Sequence, residues 1–330
     1  MSVIFFSSQS AILRVHAYVN VERTDRTRKG IAMKKALVTG GFGFIGFPLV
    51  DRLLTEGIEV IALDQMPDER KAIQEEMKMR VGRNALLTIV AEKIERCDLP
   101  ALTRGVDVVF HLAGSTSEDS DWQTFENVIE NNVNVTRMLI EALEKGTRLV
   151  YPSTVEVYGG RTGEVKETTP TNPTTPYGIT KLASENLIKR LCPKRGIPYV
   201  ILRLPTVYGP FQRETMTYQQ VLTGIERPTI DRSTVDVLYV DDVVDAFLLA
   251  ATTKSINEIY QLSSNNKGEW FTGMKLLEKN DCINEKETMF LSGEKAERVL
   301  QFRAKTPLEE GLKKQKEHIQ SLEKRSGWLP

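Results

Sequence analysis

The sequence predicts an α/β protein, a doubly wound parallel sheet with a small C-terminal substrate lobe. Three observations carry this expectation. Apolar, β-branched runs of strand length recur along the first two thirds of the chain, separated by stretches of helical period. The first run ends in a glycine-rich turn that opens straight into a helix. After about Gly209 the alternation loosens and the runs shorten. Strands that alternate with helices are joined by crossovers, which make a parallel sheet covered on both faces.

In chain order, "KALVTGG" reads as the first strand, and "IGFPLVDRLLTEG" as a helix closed by Gly57. "IEVIALDQ" is the second strand, residues 67–80 are charged and helix-prone, and "LLTIVAE" is the third strand. "DLPALTRG" is a short helix, and "VDVVFHLAG" a strongly β-branched fourth strand. "TFENVIENNVNVTRMLIEALEKG" has the period of one long amphipathic helix, and "TRLVYPST" is the fifth strand. "PYGITKLASENLIKRLCPKRG" is the next helix, and "IPYVILRL" the sixth strand. Beyond Gly209, "RPTIDRSTVDVLYVDDVVDAFLLAATTK" supplies a short strand and a helix, "EIYQLSSNN" another strand, and the end is charged and helical. Residues 1–32 read as a disordered or upstream extension before Met33. Residues 33–205 read as the sheet domain with the catalytic residues. Residues 206–330 read mainly as the lobe, with about 236–262 returning to the sheet domain.

Composition excludes several function classes. Lys and Arg number 44 and so do Asp and Glu, so no basic excess speaks for nucleic-acid binding. The three cysteines, Cys97, Cys192 and Cys282, are scattered and odd in number, which speaks for a reducing cytoplasm. The three histidines form no metal-spaced cluster, so no metal is expected. No apolar run approaches the ~20 residues that span a bilayer.

The turn "VTGGFGFIG" places Gly40, Gly43 and Gly46 between strand and helix, with Phe44 and Ile45 in the same cradle. Glycines there allow a tight turn and a close approach of backbone to a pyrophosphate, which then rests on the helix N-terminus. Asp64, at the end of the second strand, is placed to accept hydrogen bonds from ribose hydroxyls. Its charge repels a 2′-phosphate, and "QMPDER" puts no basic side chain beside it, so NAD is favoured over NADP. Asp98 and Leu99 are expected at the end of the third strand region, facing an adenine. Leu112, Ala113 and Gly114 are small or apolar residues expected under the cofactor. His111 is expected to be a packed strand-end residue, and Asn132 a tie between neighbouring strand ends.

Tyr177 and Lys181 stand at i and i+4, on one face of a helix. A lysine beside a tyrosine favours tyrosinate, and a tyrosine of lowered pKa can exchange a hydroxyl proton while hydride moves to a nicotinamide. "YPSTVEVYGG" ends a strand with Ser153, Thr154 and Glu156 at its mouth.

The ordered run "TGGFGFIG", "DVVFHLAG", "PSTVEVYG", "PYGITKLASE", "LRLPTVYGP" and "LYVDDVVDAFLLA" resembles the extended short-chain dehydrogenases/reductases, specifically the NAD-dependent sugar epimerase/dehydratase family. The likeness covers roughly residues 34–255, and "FRAKTPLEEGL" echoes the family's C-terminal end. It implies a Rossmann-type domain, bound NAD, a transient 4-keto sugar, a sugar-nucleotide substrate and often a homodimer. By position, Thr154 matches the family's active-site hydroxyl, Tyr177 its base and Lys181 the partner of that base. Ser115, Ser153, Thr206, Arg213 and Arg232 are expected to face substrate. Thr206 stands where family members often carry Asn. Val235 stands where many carry the Arg that clamps the diphosphate, so Arg213 or Arg232 substitutes, or the substrate lacks the usual diphosphate. Thr-x-Glu resembles the dehydratases and UDP-glucuronate decarboxylases, but Val155 replaces the Asp that serves many dehydratases as acid. Glu156 is therefore either a base toward a carbon beside the ketone, a group that orients substrate, or a hydrogen-bonding strand-end residue. The net reaction stays open between epimerisation, dehydration, decarboxylation and oxidation.

Overall fold

The computed structural model describes residues 33–67, 70–115, 122–230, 236–279 and 289–326. The expectations for residues 1–32, Arg232 and Val235 fall outside the described residues.

Seven strands form one wholly parallel sheet. In chain order they are β1 (Lys35–Thr39), β2 (Glu59–Asp64), β3 (Leu87–Ala91), β4 (Val108–His111), β5 (Arg148–Thr154), β7 (Tyr199–Leu204) and β10 (Glu258–Gln261). Their spatial order is β10-β7-β5-β4-β1-β2-β3. The direction of winding reverses between β1 and β4, and this switch point opens a crevice at the C-terminal ends of the strands. The last strand comes from beyond residue 250 and pairs with β7 at the sheet edge. Four short strands pair outside the sheet, β6 (Gly163–Val165) with β11 (Met289–Leu291) and β8 (Thr206–Tyr208) with β9 (Val237–Tyr239).

Alternation along each strand feeds two cores. Ala36 and Val38 of β1 face one, Leu37 the other. The first core takes in α1 (Gly46–Thr55), α2 (Lys71–Val81) and α8 (Val240–Thr252). The second takes in α3 (Leu99–Thr103), α5 (Val135–Ala142) and α6 (Pro176–Arg195). Among the described residues no helix is long and apolar enough to cross a membrane.

Local chemistry sets the ends of these helices. Helix α6 starts at Thr175, whose hydroxyl oxygen accepts the Gly178 N–H at 3.0 Å, with Pro176 in the first turn. It stops at Gly196, left-handed at φ +67°. Gly57, expected to close α1, lies one residue past the cap Glu56 and has φ +78°.

Two expectations need correction. The long helix expected over 124–146 is α4 (Trp122–Ile129) and α5 joined by a wide π-turn, Glu130–Asn134. Heptad-like spacing cannot reveal one residue inserted into a turn. Asp98 and Leu99 do not end β3, which closes at Ala91. Asp98 caps α3, accepting the Ala101 N–H at 3.2 Å, and the Leu99 side chain packs into the second core. An Asp followed by Leu-Pro is also a helix-start signal, and here that reading prevails.

Candidate active site

The glycine turn is built by direct backbone closure. Gly43 N–H donates to Gly40 O at 2.9 Å, and Gly40 has φ +69°. A Cβ on Gly40 would come within 2.9 Å of the Ala113 nitrogen, and one on Gly46 would collide with Gly40 O. The turn therefore sits directly against the β4 exit, and only glycine permits it. Phe44 and Ile45 are half-buried at the mouth, Ile45 as the N-cap residue of α1. Leu112 N–H donates to Thr39 O at 3.0 Å, Leu112 and Ala113 are half-buried, and Gly114 is exposed.

Asp64 lies opposite the turn. One of its carboxylate oxygens accepts the Phe42 N–H at 3.0 Å and the other the Met66 N–H at 3.1 Å. A carboxylate has about four acceptor positions, so both oxygens keep capacity for hydroxyl donors. A tight glycine turn, a helix N-terminus and a strand-end acid with free acceptor capacity fit a dinucleotide. Gly40, Gly43, Phe44, Ile45, Gly46 and Asp64 would hold it, with Leu112, Ala113 and Gly114 beneath.

Behind the crevice is a buried polar cluster. Thr39 and His111 are register partners on β1 and β4, and Thr39 Oγ1 lies 2.7 Å from His111 Nδ1. His111 Nε2 lies 3.0 Å from Thr136 Oγ1, which donates to the Asn132 carbonyl at 2.5 Å. A carbonyl can only accept, so Thr136 gives its proton there and receives the Nε2 proton of a neutral imidazole. Burial pushes His111 down to about 3, assisted by the nearby Lys181 charge. His111 is thus packed and neutral.

Asn132, on the π-turn, is a tie as expected. Its side chain accepts the Ser115 N–H at 2.7 Å and donates to Ser115 O at 2.9 Å and Thr180 Oγ1 at 3.0 Å. It joins the β4 exit to α6 one residue before Lys181.

Lys181 is buried and donates to Pro152 O at 2.7 Å and to the Tyr151 hydroxyl at 3.2 Å. Its Nζ stands 5.8 Å from the centre of the Tyr177 ring. Burial lowers Lys181 to about 7, with the Glu185 charge opposing. Below it Glu185 grips Arg203 through two parallel bonds of 2.9 and 2.7 Å, and Arg203 also donates to Tyr158 at 2.8 Å. This pair is enclosed and ties α6 to β7.

Thr154 is buried, its Oγ1 accepting the Glu156 N–H at 3.2 Å. Ser153 Oγ is buried and has no partner among the described residues. Glu156 Oε2 accepts the Thr175 hydroxyl at 2.7 Å. The end of β5 and the N-cap of α6 are thereby fastened together, with Tyr177 just inside that helix. Arg213 is exposed and lies in electrostatic range of Tyr177 and Arg70. Thr206 is buried in β8 opposite Val237, further from solvent than a substrate contact was expected to be. Tyr151, Thr175 and Arg70 were not anticipated from sequence. Thr175-Pro176 carried an N-cap signal, but Tyr151 reads as one more apolar strand residue.

The model of the NAD dependent epimerase/dehydratase family matches residues 36–263. The chain belongs to that family. It is an NAD-dependent enzyme of the epimerase/dehydratase type. This family member is 31% identical to the uncharacterized UDP-glucose epimerase YtcB of Bacillus subtilis over 316 residues, 87% of this chain and 98% of that protein. It is 29% identical to the human dTDP-D-glucose 4,6-dehydratase over 245 residues, 70% of this chain and 69% of that one. The structure of a UDP-glucuronic acid 4-epimerase from Bacillus cereus, solved with UDP-glucuronic acid and NAD, superposes with a TM-score of 0.77. That match has 28% identity and covers 87% of this chain and 99% of that one.

Proposed function

We propose that this family member is a 4-epimerase of a nucleoside diphosphate sugar. The observation that carries the choice of epimerisation over dehydration is the Glu156–Thr175 bond. One oxygen of the carboxylate that dehydration would use as a base toward C5 accepts from Thr175, the cap of α6, and the preceding Val155 has no proton to give. YtcB and the Bacillus cereus enzyme, both matched over nearly their whole length, bear epimerase names, whereas the match to the human dehydratase is partial.

When bound, NAD would supply reversible hydride acceptance from C4 of the sugar, so the reaction would consume no external reductant. Tyr177 takes the C4 hydroxyl proton and later returns it. Lys181 lends positive charge that favours tyrosinate. Thr154 donates its hydroxyl to the reacting oxygen, and Ser153 and Ser115 line the sugar's approach. Arg213 supplies charge to the anionic part of the substrate, and Arg232 and Thr206 are secondary candidates. Glu156 acts by holding Thr175 and hence the start of the tyrosine helix. Asp98 remains a candidate for the adenine end through the carboxylate oxygen that does not cap α3. Residues 206–330, without the 236–262 return, are the proposed substrate-binding lobe. The scattered cysteines support a cytoplasmic enzyme, and the family resemblance supports a homodimer, which sedimentation would test.

A panel of UDP-, dTDP-, GDP- and CDP-sugars tests the reading. One nucleotide sugar should yield its C4 epimer with no net change in NADH. A 4-keto-6-deoxy product would replace epimerisation with dehydration. Stoichiometric NADH formation would make the enzyme a net dehydrogenase.

A further inference from the structure

Lys181 lies between two tyrosines that come from different elements. Its Nζ is 4.4 Å from the centre of the Tyr151 ring on β5 and 5.8 Å from that of Tyr177 on its own helix. It donates to the Tyr151 hydroxyl and to Pro152 O. An ammonium has three protons, so one remains for the Tyr177 side. Tyr151 is fully buried and matches no motif residue of the family resemblance.

The Tyr151 oxygen accepts from Lys181 Nζ at 3.2 Å, alongside the Pro152 carbonyl at 2.7 Å. Two oxygens that accept from Nζ favour ammonium over neutral amine. Thr136 and Ser184 direct their own hydroxyl protons to the Asn132 carbonyl, at 2.5 and 3.1 Å.

We propose that Tyr151 is a positioning residue for the reaction: its hydroxyl holds Lys181 charged and aimed at Tyr177, and so sets the pH at which Tyr177 serves as base. The inference rests on the proposed role of Tyr177. Burial works in the opposite direction on Lys181, the Glu185 charge opposes burial, and the Tyr151 oxygen adds an acceptor at 3.2 Å. The groups that face the lysine are Tyr151 from β5, neutral His111 from β4, and Tyr177 and Glu185 from α6. Arg203 of β7 neutralises Glu185, and Arg213 adds positive charge near Tyr177. None of them replaces the Tyr151 hydroxyl as an acceptor beside Nζ. A Tyr151 that merely packs would be replaced by Phe without consequence, because the ring and its contact with the ammonium both remain.

The test titrates tyrosinate absorbance in the NAD-loaded protein, with Tyr177→Phe subtracted to isolate Tyr177. No sugar is needed, so a failure to find the substrate does not bear on the result. In Tyr151→Phe the Tyr177 transition should move up by about one pH unit, about a tenfold loss of tyrosinate near neutrality. Bound NAD and melting temperature should stay close to the parent. An unmoved transition in folded Tyr151→Phe overturns the proposal. Should that variant fail to fold, nitrogen NMR of Lys181 in the parent decides: Nζ should be an ammonium at the pH where Tyr177 ionises, and a neutral amine there overturns the proposal instead. A parent Tyr177 that titrates near the ordinary tyrosine value of ~10 overturns the base role itself, a separate outcome.

Discussion

The carboxylate of Glu156 accepts the hydroxyl proton of Thr175 at 2.7 Å, and the same Thr175 oxygen accepts the Gly178 N–H at 3.0 Å. One side chain in the turn just after β5 thus holds the cap of the helix that carries Tyr177 and Lys181. Gln at position 156 keeps an acceptor for Thr175. Glu156→Gln is expected to retain turnover within about threefold. Ala removes the acceptor and leaves the cap hydroxyl without its partner, for a loss of about 1 kcal/mol. Steady-state kinetics and urea unfolding of the two variants check this. A fall of a hundredfold or more in Glu156→Gln would make the glutamate a chemical participant.

Tyr177→Phe should keep the fold and bound NAD, since the ring stays half-buried at the start of α6. Loss of a positioned general base typically costs 10²–10⁴-fold. The expected result is a drop of that order in kcat with little change in KM. Turnover above a tenth of the parent's would remove Tyr177 from the chemistry.

The Glu185–Arg203 pair is bidentate and almost completely shielded from water. Removing one partner leaves a buried charge without compensation, which costs about 3–5 kcal/mol. Glu185→Ala should lower the unfolding midpoint in urea accordingly. It should also disturb Lys181, one helical turn away on the same helix. A variant as stable as the parent would show that Arg203 finds another partner or reaches water.

His111 provides a pH dependence of known sign. Burial lowers it from 6.5 to about 3. The unfolded chain takes up its proton below about 6.5 while the folded protein does not. The stability His111 contributes is therefore complete above about pH 6.5 and declines toward pH 3, by at most about 1.4 kcal/mol per unit. Urea unfolding between about pH 7 and pH 5 should show this decline. The imidazole signals of His111 in NMR should stay those of the neutral ring over the same range. A ring that titrates near 6.5 would contradict the enclosed Thr39–His111–Thr136 chain.

Much of this arrangement is legible in residues alone. The glycine turn had to precede a helix, because Gly40 and Gly46 are where backbone meets backbone. Asp64 ends β2 as its place after the run "VIAL" requires. Tyr177 and Lys181 share a helix because i and i+4 face one way. Period-based reading misplaced Asp98, since a strand end and a helix cap can both be written with an aspartate. It smoothed over the π-turn at Glu130–Asn134 for the same kind of reason: an inserted residue alters hydrogen bonding without altering composition.

The sequence by itself determined the alternation of strand and helix, the glycine cradle and the tyrosine–lysine pair, because all of these are local patterns or short spacings. Only the tertiary structure decided what surrounds them. Tyr151 and Lys181 are 30 residues apart, Glu156 and Thr175 are 19 apart, and Thr39 and His111 are 72 apart. Each pair meets because parallel strands and a crossover helix bring distant residues to one end of the sheet. The roles of Glu156 as a cap partner and Tyr151 as an acceptor depend on direction and burial, which no spacing in the chain encodes.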